Sequence, residues 1–233
     1  MCGRVTLTKS GIREIADELE AEVADEDVAS YRPRYNVAPT DTHWMLERGG
    51  DRRVLLPAVW GYVTATGRPL INVRGEQVGS GGGFRHAFAE RRCAIVTDGF
   101  YEWTKDHRPF WFHRTDGGLI LLAGLYQDAG AAGAGKGGPT GARPRFTVLT
   151  TRPNRVVGAV HDRMPVVLPP DGVDEWLAGP AARAGQLIAT APDDALVVTA
   201  VSKRVSSVKN DDPECLVPVS AEESRRGEQG SLF

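Results

Sequence analysis

The sequence predicts an α+β fold: a mostly antiparallel β-sheet, curled or barrel-like, with a few flanking helices. Two observations carry that expectation. Runs of β-branched and aromatic residues outnumber helical patterns along the 233 residues, and the helical stretches are too few and too irregularly placed for a repeating βαβ array. Taken in order, Gly3 to Leu7 is a short strand. Ser10 is placed to cap a helix whose apolar positions Ile12, Ile15, Ala16, Leu19 and Val23 recur at the 3.6-residue period. Arg34 to Thr40 is extended, because Pro39 disfavours a helical conformation at Ala38. Thr42 to Glu47 and Arg53 to Val63 form a strand pair joined through Gly49-Gly50. Arg92 to Val96, Pro109 to Arg114, Leu119 to Tyr126 and Arg145 to Thr150 add four strands, and Ala195 to Val201 closes the series. Short helices are expected near Phe84 to Glu90, Val173 to Leu177 and Ala181 to Leu187.

Three stretches punctuate this pattern. Gly79 to Gly83 is a glycine-rich loop. Ala129 to Pro144 is so rich in Gly and Ala that it cannot bury enough apolar surface to offset its ordering entropy, which predicts a disordered surface insertion. The strand pattern resumes at Arg145, so one domain over residues 1–219 is expected, followed by a polar, flexible tail over 220–233.

Composition restricts the function classes. A net charge of -2 neither advertises nor excludes nucleic acid, which would have to meet a local concentration of arginines. Cysteines at positions 2, 93 and 215 are odd in number and lack a C-x-x-C pair, so neither a disulfide framework nor a zinc knuckle is indicated. The five histidines are scattered, and no metal is expected. With no signal-like opening and no apolar run of membrane-spanning length, a cytoplasmic location is expected.

Four blocks carry chemistry. In Met1-Cys2-Gly3-Arg4, a small residue after the initiator permits removal of Met1 and makes Cys2 the amino terminus. Its amine and thiol, with reference pKa values of about 7.7–8 and about 8.5, form a 1,2-aminothiol that traps aldehydes as thiazolidines, and a useful fraction of each is nucleophilic near neutral pH. A buried cysteine opening a strand fits the same dipeptide. In Ile71 to Glu76, an extended backbone would place Asn72, Arg74 and Glu76 on one face, as an outer solvated strand also would. In Asp98 to Trp103, Glu102 lies between large aromatics that would raise its pKa toward that of a general acid, although a strand-edge glutamate beside Trp103 has the same pattern. In Val160 to Pro165, His161 has a carboxylate and a guanidinium as sequence neighbours.

Taken together, Met-Cys-Gly-Arg, Tyr35-Asn36-Val37-Ala38-Pro39-Thr40, Trp60-Gly61, Asn72-Val73-Arg74-Gly75-Glu76, Gly99-Phe100-Tyr101-Glu102-Trp103 and His161-Asp162-Arg163-Met164-Pro165 resemble the SRAP family. These are the SOS-response-associated peptidases, or abasic-site processing proteins. Val73 stands where the family more often has Ala, and Gly75 where a small residue other than Gly is usual, neither departure removing a chemical group. The resemblance implies a single SRAP-like domain that shields abasic sites in single-stranded DNA through a thiazolidine cross-link to Cys2, by lyase-type Schiff-base chemistry. It implies Cys2, Asn72, Glu102 and His161 as catalytic residues, and Arg4, Pro39, Trp60, Arg74, Trp103, Arg163 and Met164 as DNA contacts. Arginines would clamp phosphates and tryptophans would stack on bases. No cofactor and no membrane partner are expected. The chain would be a monomer, associated with the nucleoid when on DNA. The alternative is a cysteine-dependent peptidase of the N-terminal nucleophile kind, which would remove Met1 itself.

Overall fold

The computed structural model describes residues 2–64, 66–79, 83–129 and 143–219. The expected tail lies outside these residues, as does nearly all of the expected Gly/Ala-rich insertion. Among the described residues, fifteen strands follow in chain order: β1 (Val5–Leu7), β2 (Ala21–Glu22), β3 (Arg34–Val37), β4 (Thr42–Gly49), β5 (Arg52–Trp60), β6 (Tyr62–Val63), β7 (Pro69–Leu70) and β8 (Asn72–Arg74) in the first part. The second part holds β9 (Arg92–Thr97), β10 (Gly99–Trp103), β11 (Pro109–His113), β12 (Ile120–Gln127), β13 (Arg145–Thr151), β14 (Met164–Pro165) and β15 (Val197–Ala200). The helices are short: α1 (Ile12–Glu18), α2 (Asp25–Val28), α3 (Arg85–Glu90), α4 (Arg155–Gly158), α5 (Val173–Ala178) and α6 (Ala181–Gln186).

The strands form two principal sheets. One runs β15-β11-β10-β1-β3. The other runs β14-β13-β12-β9-β4-β5-β2, and β13 also pairs with β5, so that β13, β12, β9, β4 and β5 close into a partial ring. The ring-closing pair is parallel, Arg145 opposite Val59 and Phe146 opposite Trp60, whereas the other ring pairings are antiparallel.

Period-two alternation sorts the ring strands into two cores. Leu46, Ala94, Val96, Leu121, Ala123, Leu125 and Leu149 face one way and pack against Ile12 and Ile15 of α1, Phe88 of α3 and Trp176 of α5. Their neighbours Met45, Cys93, Ile95, Leu122, Phe146 and Val148 face the other way and meet Val5, Val37, Phe100 and Phe112 of the five-stranded sheet. The far face of that sheet carries Tyr101, Trp103, Trp111 and Tyr35, covered by Val201, Val205, Cys215 and Leu216.

Two local expectations at the first helix are corrected. Gly11, not Ser10, occupies the N-cap and no side chain caps α1, while Ser10 Oγ lies 3.4 Å from Glu14 Oε2. The helix ends at Glu18, before the positive φ of 50° at Glu20, so Val23 lies beyond it. No helix among the described residues is long and apolar enough to cross a membrane.

Candidate functional site

The site is built around the register of β1 on β10. Val5 stands opposite Phe100 and Thr6 opposite Gly99, and the Tyr101 N–H donates to Arg4 O at 3.0 Å. This antiparallel run lays the segment at Cys2 alongside the end of β10 that carries Glu102. Gly99 has to be glycine, because a Cβ there would fall 2.1 Å from Nε1 of Trp111 across the strand pair. Along β10, Glu102 shares the face of Phe100, toward the core that contains Cys2, while Tyr101 and Trp103 point away. Cys2 is fully buried and Glu102 is 2% exposed.

Asn72 joins from the other sheet. It opens β8, which runs parallel to β13 with Asn72 opposite Val148. Its Nδ2 donates to the Cys2 carbonyl at 2.7 Å. Its Oδ1 is buried with no hydrogen-bond partner among the described residues, an arrangement that costs about 1–3 kcal/mol and therefore marks an acceptor position suited to an incoming donor. Only three residues of β8 are extended, and Gly75–Gln77 turns into a 3-10 helix. Glu76 therefore does not continue the strand face expected for Asn72, Arg74 and Glu76.

The His161 segment approaches from the connection between α4 and β14. Nδ1 of His161 accepts from the Arg163 N–H at 3.1 Å and lies 3.0 Å from Asp162 Oδ1. Partial burial lowers the imidazole pKa, favouring the neutral ring. Burial pushes the Glu102 carboxyl up to about 7, and the nearby negative charge of Asp162 acts in the same direction. Burial also pushes the Cys2 thiol well up, followed by the charge of Glu102, with the Arg4 main-chain N–H acting against them. In the chain that still carries Met1, the buried sulfur is held as a thiol and calls for a base before it can attack. The Glu102 pKa rises as expected, but Tyr101 and Trp103 do not wall the carboxyl in: they lie on the opposite face, and burial in the core raises it.

Several expected DNA contacts are placed differently. Trp60 is wholly buried, donates Nε1–H to Ile71 O at 2.9 Å and stacks on Phe146, so it presents no face to a base. Met164 is likewise fully buried, its sulfur accepting from the Asn154 N–H. Arg163 is held by Glu76 in a bidentate pair of 2.8 Å bonds and by Thr150 O at 2.6 Å, so its guanidinium is occupied rather than open to phosphate. Arg4 donates to Asn36 Oδ1 and Val205 O and lies over the Trp103 ring. The Arg74 side chain is exposed and makes no hydrogen bond or ion pair among the described residues. Pro39 and Trp103 are half-buried, the latter donating to Ser206 Oγ. An apolar cleft of about 740 Å³, lined by Ile120, Leu121, Leu168, Leu187 and Leu196 among others, contains none of these site residues.

A family model described as SOS response associated peptidase (SRAP) matches residues 1–208. The chain belongs to the SRAP family. This SRAP chain is 31% identical to the abasic site processing protein YoqW of Bacillus subtilis over 93% of its own length and 99% of the relative's. It is 30% identical to the abasic site processing protein YedK of Escherichia coli, over 94% and 100% of the two chains. A crystal structure of a protein from Bacteroides thetaiotaomicron has the same fold, with a TM-score of 0.79 at 16% identity, covering 94% of this chain and all of that one.

One functional signal in this SRAP sequence was not visible in the residue pattern. Asn36 and Asp211 together fasten the C-terminal segment: the Asn36 amide donates to Val205, Ser207 and Asn210 carbonyls, and Asp211 accepts the Tyr35 and Asn36 N–H groups. The Tyr35-Asn36 motif is therefore a latch behind β10. Only its partner loop, about 170 residues away, reveals that role.

Proposed function

We propose that this SRAP protein captures abasic sites in single-stranded DNA as a covalent adduct on Cys2. The carrying observation is the convergence of Cys2, Asn72 and a Glu102 carboxyl poised near neutrality at one edge of the core. The names of the relatives, all abasic site processing proteins, supply the electrophile.

Removal of Met1 frees the Cys2 α-amine, which adds to C1′ of the open-chain aldehyde. Protonated Glu102 gives its proton to the carbinolamine oxygen, water leaves and an iminium forms. The Cys2 sulfur then adds to that carbon while the S–H proton passes to the Glu102 carboxylate. Glu102 ends as it began, and the sum is aldehyde plus aminothiol giving thiazolidine plus one water. With the aldehyde consumed, β-elimination of the strand has no carbonyl to drive it. Asn72 holds the Cys2 main chain and offers Oδ1 to the amine or to the sugar, His161 assists at the sugar hydroxyl, and Arg74 meets a phosphate.

The test is intact-mass spectrometry before and after incubation with a single-stranded oligonucleotide bearing one abasic site. The expected result is a starting mass without Met1 and a borohydride-independent adduct that is absent from Cys2→Ala. Processed protein that forms no adduct overturns the proposal. Comparing Met1 retention in Cys2→Ala and wild type tests the second activity, self-removal of Met1 by a Cys2-dependent peptidase step.

A further inference from the structure

We infer that Glu76 and Arg163 form a positioning device that selects which ring nitrogen of His161 carries the proton. This rests on the site assignment above, but its readout does not require the DNA reaction.

The geometry forms a continuous chain. Both terminal nitrogens of Arg163 meet the two oxygens of Glu76 at 2.8 Å, in the parallel fork that fits guanidinium to carboxylate. The same guanidinium donates to Thr150 O at 2.6 Å and reaches Thr150 Oγ1 at 3.3 Å. Thr150 lies on β13, opposite Arg74 of β8 and Pro165 of β14. The Arg163 side chain therefore ties the turn that follows Asn72 to the segment that carries His161, across the strand between them. It is 14% exposed, against 46% for Glu76. The Arg163 hydrogen bonds hold the Glu76 carboxyl down at about 2, so it stays an anion throughout the working range.

What this clamp fixes is the position of the Arg163 main-chain N–H, 3.1 Å from His161 Nδ1. A peptide N–H can only donate, so that bond requires Nδ1 to be the acceptor and puts the proton of the neutral ring on Nε2. A rival arrangement lies at the same atom. Asp162 Oδ1 is 3.0 Å from Nδ1 and would bond it only if Nδ1 carried a proton. The Asp162 side chain is 90% exposed, so solvent weakens that claim. The clamped peptide N–H prevails, and releasing the clamp transfers the choice to Asp162.

The experiment is a long-range ¹H–¹⁵N spectrum of the imidazoles, with His161 assigned by its disappearance in His161→Asn. Wild type is expected to show the Nε2–H tautomer once the ring is neutral. Glu76→Gln is expected to shift His161 toward the Nδ1–H form, and Glu76→Asp, which keeps the carboxylate, to restore it at least in part. In the adduct assay Glu76→Gln should slow the reaction by about tenfold or more, the scale of a misplaced acid–base group. A wild-type ring in the Nδ1–H form overturns the inference without any variant. A Glu76→Gln protein that loses thermal stability but keeps the Nε2–H tautomer does so as well, leaving the ion pair a purely structural link. Failure of wild type to form any adduct would instead count against the site assignment, with the tautomer result unaffected.

Discussion

At the scale of one residue, the role proposed for Glu102 opposes stability. Its folded pKa of about 7 lies above the ordinary 4.5, so the folded chain holds a proton that the unfolded chain releases. Stability linked to Glu102 is complete below the lower value, falls as pH rises through the upper one and stays reduced above it. Glu102→Gln should therefore be more stable than wild type at pH 8, by about 1–3 kcal/mol, with the gain vanishing toward acid. The same variant should form the adduct at least about a hundredfold more slowly. Urea titrations at the two pH extremes, together with the adduct assay, check both halves. A variant no more stable at pH 8 than wild type would mean that the carboxyl is not held in a desolvated state. Cys2, Asn72, Glu102 and His161, the residues proposed to react, stand in short motifs that can be read locally in the sequence. What misled at Trp60, Met164 and Arg163 was burial and pairing, since nothing in a motif says that a tryptophan's neighbours will enclose it or that Glu76 will claim a guanidinium.

At the scale of elements, Arg92 holds two helices against β9. Its guanidinium donates to Phe88 and Ala89 carbonyls at the end of α3 and to Trp176 and Gly179 carbonyls at the end of α5. A cation placed at two helix C-termini satisfies carbonyls that the short helices cannot bond internally. Arg92→Met is expected to cost about 2–4 kcal/mol, because four acceptors lose their donors together. Denaturant unfolding should show a lower midpoint with an unchanged m-value, and a loss below about 0.5 kcal/mol would contradict this role. Most of these elements are legible in the sequence. Runs such as Arg92 to Val96 and Arg145 to Thr150 are continuous in β-branched and apolar residues, so β9 and β13 were evident. Strand β10 was less so, since it begins with glycine and carries a carboxylate, and its extended form depends on pairing with β1 and β11 on either side. The expected helical face reached Val23, but the turn at Glu20 ends it earlier, a backbone decision that hydrophobic periodicity does not record.

For the molecule as a whole, a net charge of -2 means that any attraction for DNA has to be local. Arg4 and Arg163 are engaged within the fold, leaving Arg74 as the open guanidinium among the three arginines expected at the site. Affinity for an unreactive abasic analogue in single-stranded DNA should therefore fall only shallowly with salt, with a log–log slope between about -1 and -3. Arg74→Ala should reduce the magnitude of that slope by about 0.7, one phosphate's worth. An unchanged slope would remove Arg74 from the interface. The curled sheet was legible from the number of strands, but its closure was not, because the parallel contact of β13 with β5 joins Arg145 to Val59, 86 residues apart, and leaves no local trace. That closure also governs what the sheet offers to other chains. Arg145 stands opposite Gln127 of β12 on one side and Val59 of β5 on the other, so β13 is paired along both edges where it enters the ring. A strand held on both edges has no row of unpaired N–H and C=O groups to present, and edge-to-edge association with a second copy has no template at that point.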